Sequence, residues 1–450
     1  MRPTLLRWLA ASSLLLAATA AAAAEHPRYG GTLRVEMRAA PVSLDPTDEG
    51  APLEAAARAR IAPLLFDRLF RMDAEGRARP QLAEGYAFQN DNKLWKFPIA
   101  RGVTFSDGTP LTADDVASSL ANSNPDWHVR TEGETVVIET DSPDPVMLAE
   151  LALAKNAVVR RAGNALVGTG PFTIAQWQPG QRLTLKANEE YWRGRPFVDE
   201  VDILFGQNPR EQALALDLGR ADVVEVSPEQ ARGDTRRVRS SEPVETFAIV
   251  FERGRTDARL REAISLAVDR GSIARGIFQG LAEPVGSILP QWVSGYAFLF
   301  PAERDVNRAR QLREAAGAGP VVLAYPPNDG LARLVAERVA LNARDAGTVV
   351  QPTPGSGAAD ARIVRVRVAS SDARVALAAM AKRLGTALPR TPWTLEETYQ
   401  AEERLLGDFA IVPLVTARDA QALAERVKDW PAAPDGAWRL QDAWIAGAQP

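Results

Sequence analysis

The sequence predicts an α/β fold with mixed sheets flanked by helices, and two parts of the 450-residue chain carry this prediction. Residues 321–351 contain two short strand-like runs on either side of a helical run from Leu331 to Ala346. A strand–helix–strand unit of this kind forms a parallel pair with a right-handed crossover. Residues 172–205 contain three runs of alternating apolar residues, and Pro179-Gly180 predicts a hairpin turn between the first two.

A strand, a tight turn and a capped helix are predicted between Phe97 and Leu120. Ser106-Asp107-Gly108 is typical of a turn, because glycine accepts positive φ and aspartate can bond its own backbone. Thr112 stands where a helix N-cap belongs, and Asp115 three residues later completes a capping box. Pro98 cannot donate a hydrogen bond to a sheet ladder, so it predicts an edge strand.

The first 24 residues are typical of a secretory signal peptide. Arg2 and Arg7 precede an apolar run, and a final string of alanines predicts cleavage before Glu25. The remaining chain has 51 basic and 57 acidic side chains, a net charge of about −6 that does not suit nucleic acid. The chain has no cysteine for disulfides or for N-terminal acylation, which predicts a free periplasmic protein and not a lipoprotein.

Enzyme chemistry is not indicated by the sequence. The chain has two histidines, His26 beside the predicted mature N-terminus and His128 in a polar segment, and it has no zinc-protease, nucleophile-elbow or P-loop motif. Asp107, Asp114 and Asp115 could form a metal or acid site, but each is explained by a local backbone role, which we favour. We therefore predict no catalytic residue, no cofactor and no metal site.

Two long stretches carry a family likeness. GVTFSDGTPLTADDV (residues 102–116) and the run from VGTGPF to VDILF (residues 167–205) resemble family 5 extracellular solute-binding proteins, the peptide- and nickel-type receptors of ATP-binding-cassette importers. The resemblance implies a two-lobed periplasmic binding protein of type II, cluster C-like, with an extra subdomain in the first lobe. It implies these boundaries: lobe I at 25–249 with the inserted subdomain at about 47–166, a shortened lobe II at 250–408, and a return to lobe I at 409–450.

The function implied by the resemblance is binding without catalysis. The receptor would hold a small, peptide-like solute between its lobes by hinge closure, act as a monomer and deliver the solute to a membrane permease. The shortened lobe II offers no match for the charged group that peptide receptors present to the ligand's amino group. The alternative is therefore a degenerate homologue that acts in sensing or as a scaffold, without transport.

Five residues are candidates for the ligand cleft. Leu44 lies in the loop after the first strand, and the resemblance places the cleft beside that loop. Trp292 and Tyr296 follow a segment that enters the second lobe near the cleft, so they either line the cleft or pack under the next loop. Arg390 and Trp393 lie in a proline-rich turn beside the shortened segment.

Two further patterns have a structural and a functional interpretation. The alternation from Val364 to Val368 predicts a strand in which Arg365 and Arg367 form a solvated basic face, and contact with an anionic ligand or partner is the alternative. Gly168 and Gly170 could suggest a nucleotide loop, but they open a strand and not a helix, so a phosphate-binding role is not expected.

Overall fold

The computed structural model describes most of the chain, namely residues 26–48, 50–73, 75–163, 165–228, 230, 237–316, 319–355, 357–430 and 436–447. The predicted signal peptide, residues 1–24, lies outside the described residues. Within the described ranges, no helix combines the length and the apolar character needed to cross a membrane.

The helices of the described residues include the one with the predicted cap at Thr112. Thr112 and Asn208 each accept from the backbone at the start of a helix, and each belongs to a complete capping box. In chain order the helices are α1 (Pro52–Leu65), α2 (Ala113–Ser123), α3 (Met147–Leu151), α4 (Pro209–Asp217), α5 (Ala258–Ala267), α6 (Arg270–Gly276), α7 (Gln291–Ser294), α8 (Val306–Ala315), α9 (Gly330–Asp345), α10 (Ala373–Arg383) and α11 (Leu395–Leu406).

The strands include every alternating run on which the fold prediction rested. In chain order they are β1 (Thr32–Glu36), β2 (Phe70–Met72), β3 (Ala78–Pro80), β4 (Ala87–Gln89), β5 (Leu94–Pro98), β6 (His128–Glu132), β7 (Thr135–Glu139), β8 (Arg160–Ala162), β9 (Ala165–Val167), β10 (Phe172–Gln178), β11 (Arg182–Ala187), β12 (Glu200–Leu204), β13 (Val223–Glu225), β14 (Val238–Phe251), β15 (Ala282–Pro284), β16 (Val321–Tyr325), β17 (Val350–Pro354), β18 (Ala361–Arg367), β19 (Ile411–Leu423), β20 (Val427–Lys428) and β21 (Trp444–Ile445).

One long mixed sheet organises the molecule, in the order β10-β11-β12-β1-β13-β19-β14-β18-β16-β17, with β15 paired to β19. We call the side containing β1 the first lobe and the side containing β16 the second lobe. Strands β14 and β19 pair antiparallel with each other and extend into both lobes. The predicted parallel unit is confirmed, because β16 pairs in parallel with β17 and α9 connects them.

The two lobes have separate hydrophobic cores. Leu33 and Phe172 belong to the first-lobe core, whereas Phe247 and Leu323 belong to the second-lobe core. Between Ser240 and residue 245 the β14–β19 ladder shifts register twice. The predicted boundaries, including the one at 249/250, stay predictions.

The inserted region has its own sheet and its own core. Its sheet has the order β4-β5-β7-β6, and Trp95, Phe97 and Val136 are among the residues buried beneath it. The prediction that Pro98 marks an edge strand is wrong, since β5 pairs with β4 on one side and β7 on the other. The proline is tolerated because it is the last residue of the strand, where a missing donor breaks no continuing ladder.

A chain of buried ion pairs ties the first lobe to the second where they share strands. Arg60 of α1 pairs with Glu225 of β13 and, at 2.7 Å, with Asp419 of β19. Asp419 also accepts from Arg367 of β18, with 3.1 Å between Nη1 and Oδ1. Burial alone would raise the pKa of Asp419, but the charges of Arg367 and Arg60 hold it well below its ordinary value. Each buried charge therefore has a partner, which is the condition for such a network to be tolerated.

The prediction that Arg365 and Arg367 of β18 form a solvated face is wrong. Arg365 pairs with Glu245 of β14 and, at 2.7 Å, with Asp329 before α9, and its side chain is 12 % exposed. Arg367 is similarly enclosed beside Asp419. Arginines at alternate positions of a strand can also form a buried face when carboxylates of other elements pair with them. These partners lie 36, 52 and 120 positions away in sequence.

Gly168 and Gly170 allow the chain to pass close to the end of α1. The amide of Gly170 donates to the carbonyl of Leu65 at 3.0 Å, and a β-carbon on Gly170 would come within 2.6 Å of that oxygen. The two glycines thus serve backbone packing between β9 and β10, which is a sufficient explanation for the pattern.

A buried carboxyl group holds α11 against the loop before α7. Glu402 is fully buried and accepts from the amides of Ile288 and Leu289 and, at 2.8 Å, from the hydroxyl of Tyr296. No arginine or lysine forms an ion pair with it in the described part of the chain. Burial raises the pKa of Glu402 to about 7, although these three donors act in the opposite direction.

Asp419→Asn should destabilise the protein strongly, by about 3–5 kcal/mol, because it leaves Arg60 and Arg367 buried beside a neutral group. Urea unfolding followed by circular dichroism at pH 7 measures the change. Asp442→Asn, an exposed aspartate in the C-terminal segment, is the matched control and should change stability by less than about 0.5 kcal/mol. Equal effects of the two substitutions would show that the network contributes little.

Glu402→Gln should remove part of the pH dependence of stability. The pKa of Glu402 is higher in the folded protein than its ordinary value of 4.5, so its contribution is fully present below pH 4.5 and is lost as pH rises to about 7. The full loss is on the order of 3 kcal/mol. Unfolding free energies at pH 5, 6, 7 and 8 measure it, with Glu403→Gln, an exposed neighbour, as control. A wild-type-minus-variant difference that is constant with pH contradicts this assignment.

Candidate ligand-binding site between the lobes

Away from the shared strands, the lobes meet through the inserted region and α10. Val375 of α10 is buried against Val146 and Ala149, which lie at the start of α3. Ser371, just before α10, donates from its hydroxyl to the carbonyl of Asp73 at 3.4 Å. A β-carbon on Gly76 would lie 3.1 Å from the carbonyl oxygen of Ser371. We call this contact the lobe junction.

Charged groups from both lobes surround the lobe junction. Asp144 accepts from the amide of Val146 at 3.0 Å. Burial raises the pKa of Asp144, although the amides of Val146 and Met147 and the charge of Arg374 act in the opposite direction. Burial and the charge of Asp144 raise the pKa of Glu150 to about 7. Burial lowers the pKa of Lys155, and the like charge of Lys382 adds to that effect. Carboxyl and cationic side chains of both lobes thus interact electrostatically at the junction.

Trp292 and Tyr296, two of the predicted cleft residues, are placed in the second lobe. The indole of Trp292 donates to the carbonyl of Pro243 at 2.7 Å, which puts it beside the register shift of β14. Tyr296 is buried, and its ring contacts Phe300 with centroids 6.1 Å apart. Burial raises the pKa of Tyr296, and the Glu402 carboxyl group that it contacts adds to the effect. For Tyr296 the geometry favours packing under the following loop, the second of the two interpretations open from sequence.

Arg390 and Trp393 lie together near the outer edge of the lobe junction. The guanidinium of Arg390 lies 5.3 Å from the centre of the Trp393 ring and forms an ion pair with Glu397 at 3.1 Å. Arg374 donates to the carbonyl of Trp393 at 3.1 Å, so the tryptophan is anchored to the first turn of α10. Trp393 is 40 % exposed, which leaves part of its ring available to a ligand.

Leu44, the remaining predicted residue, is buried in the first-lobe core. The loop around it is fixed by Asp45, whose carboxylate accepts from Arg161 at 2.8 Å and from Thr47 at 2.7 Å. The Leu44 side chain therefore packs inside the lobe, and no contact in the described residues joins it to the other four predicted residues. Whether the five residues contact a ligand stays a prediction.

The residues that form the lobe junction were missed by sequence reasoning. Val375 was assigned only to a helix, and Asp144 stood in a segment where the family resemblance was weak. One signal was available, since Asp-Pro favours a turn and Asp144-Pro145 precedes an apolar run. The partner of that helix could not be identified, because the contact joins positions more than 220 residues apart. No cluster of three metal-ligating side chains is found among the described residues.

Comparison with known proteins places the chain in a family. A family model described as bacterial extracellular solute-binding proteins, family 5 Middle, matches residues 77–378, about two thirds of the chain. The chain is 25 % identical over 243 residues to the nickel-binding protein NikA of Staphylococcus aureus, covering 49 % of each protein. It is 25 % identical over 307 residues to the glutathione-binding protein GsiB of Salmonella choleraesuis, covering 61 % of this chain and 59 % of GsiB. The chain thus spans about half to three fifths of the length of these relatives.

Solved structures agree with the chain over nearly its whole length. Staphylococcus aureus NikA with Ni(L-His)2 aligns with a TM-score of 0.79 and 17 % identity, covering 92 % of this chain and 99 % of NikA. Helicobacter pylori DppA with the peptide STSA aligns with a TM-score of 0.80 and 16 % identity, covering 93 % and 99 %. These neighbours confirm the predicted fold, a two-lobed periplasmic binding protein of type II. The chain belongs to the family 5 bacterial extracellular solute-binding proteins.

Proposed function

We propose that this protein is the periplasmic solute-binding receptor of an ATP-binding-cassette importer and that it binds a small, peptide-like solute between its lobes. The observation that carries the proposal is the combination of two shared strands, β14 and β19, with a second contact between lobes at the junction. The named relatives are solute-binding proteins and not enzymes, which supports binding without catalysis. We also propose that the chain is exported with a cleaved signal peptide, is not a lipoprotein and acts as a monomer.

The proposed mechanism is a hinge movement about the shared strands. Bending at the register shift near Ser240 would separate α10 from the inserted region and expose Val375, whose buried neighbours include Val146 and Ala149 of the other lobe. A solute that contacts both lobes binds the closed form better, so it shifts the population towards closure. The membrane permease would recognise this closed form.

The carboxyl groups at the junction favour a solute with an ammonium group. Asp144 and Glu150 lie on the first-lobe side and could accept from it, whereas Arg374 on the second-lobe side already forms an ion pair with Asp372. The exposed part of the Trp393 ring offers an apolar surface beside Arg374. Peptides carry both charges and apolar side chains. DppA was solved with the peptide STSA and GsiB is named for glutathione, which supports the same class.

A ligand panel tests the proposal directly. Tri- and tetrapeptides, reduced glutathione, an opine and a nickel–histidine complex should be compared by thermal shift on the mature protein. At a ligand concentration about 100-fold above Kd, binding should stabilise the folded state by about 3 kcal/mol, which is a rise of a few degrees in Tm. We expect the peptides to give the rise. A panel without any shift would overturn the receptor function and favour the sensing or scaffold alternative.

Val375→Asp should open the molecule without unfolding it, because the new carboxylate is buried only when the lobes meet. Small-angle X-ray scattering should give a larger radius of gyration, and affinity for the active peptide should fall at least tenfold. Leu341→Asp, an exposed position on α9, is the control and should change neither quantity.

Ala149→Asp, from the opposite side of the junction, should reproduce the effect of Val375→Asp. Circular dichroism verifies that each variant is folded. Two folded variants with wild-type scattering and wild-type affinity would contradict the hinge mechanism.

A further inference from the structure

A groove in the second lobe is formed by a single segment of the chain. It has a volume of about 430 Å³ and is open to solvent along one side. Its lining residues all fall between positions 387 and 405, in the segment after α10 and in α11. One lobe alone therefore forms the groove, so a molecule bound there needs no hinge closure. This volume is within the range of small-molecule sites, which is about 300–1,000 Å³.

The floor of the groove is apolar. Leu388 and Leu405 are partly buried and pack on a separate apolar cluster of the second lobe that includes Leu384 and the buried Ala401. Ala401 and Leu405 are four residues apart on α11, so they lie on one face of the helix. An apolar body of a ligand would cover this floor.

The rim of the groove carries two cations and one carboxylate. Arg390 pairs with Glu397 at 3.1 Å. Arg404 lies seven residues after Glu397, on the same face of α11, and within the described chain no hydrogen bond or ion pair occupies its guanidinium. Arg390 and Glu397 neutralise each other, so the rim keeps one positive charge at Arg404. Gln400, between them on the helix, also lines the groove, and its amide donates to Glu396 at 3.3 Å.

We propose that this groove binds a small monocarboxylate with an apolar body, with its carboxylate on Arg404 and its apolar part on the Leu388–Leu405 floor. A single carboxylate matches the single uncompensated charge, and a guanidinium binds a carboxylate through two parallel hydrogen bonds. A free metal ion does not fit, since the rim has one carboxylate that is already paired. Arg390, predicted from sequence as a cleft residue, has a place in this second site.

Isothermal titration of the full mature chain with 3-phenylpropionate tests the proposal at about 0.15 M salt. Wild-type protein should bind it. Arg404→Gln should weaken binding about tenfold or more, and Arg404→Lys should retain part of the affinity because the charge remains. Arg253→Gln, an exposed arginine after β14, is the matched control and should bind like wild type. The neutral 3-phenylpropanamide should not bind.

The outcomes are separable from those of the proposed function. Val375→Asp should leave 3-phenylpropionate binding unchanged, because the groove belongs to one lobe, while it weakens binding of the peptide. The proposal is overturned if wild-type protein does not bind the acid, if Arg404→Gln binds as well as Arg253→Gln, or if the amide binds as well as the acid. Loss of binding in Val375→Asp would place the acid between the lobes and would also overturn it.

Discussion

The structure depends on the buried ion pairs that join Arg60, Asp419 and Arg367 across the shared strands. Removing charges from water costs several kcal/mol per ion, and the interaction is tolerated only when every charge has a partner at short distance. Three separate elements must therefore meet with little positional freedom. This requirement fixes α1 relative to β18 and β19.

Local signals explain why so much of the fold could be predicted. The capping boxes at Thr112 and Asn208 and the alternation of apolar residues in β10 to β12 act within a few residues, so one sequence is enough to read them. The edge-strand prediction at Pro98 was wrong. The position of a proline within a strand, and not only its presence, decides which ladder hydrogen bonds are lost.

The candidate site could be predicted only in part, because its geometry comes from pairs that are distant in sequence. Arg365 and Arg367 read as a solvated face until Glu245, Asp329 and Asp419 are placed beside them. From sequence, Tyr296 could have lined the cleft or packed under the next loop. Glu402, 106 positions away, accepts from its hydroxyl group and holds it inside the lobe. Conversely, Val375 lies at the lobe junction, but no feature of the residues around it in the sequence predicts that contact.

The path of the chain through the shared strands has a consequence for the order of folding. The first-lobe core includes Leu423, Trp438 and Leu440, and β13 pairs with the end of β19. During synthesis, the first-lobe core therefore cannot close until Leu423, Trp438 and Leu440 have been made. Contacts of such long sequence separation form slowly. The interior of the first lobe therefore closes late, although most of its residues are made early.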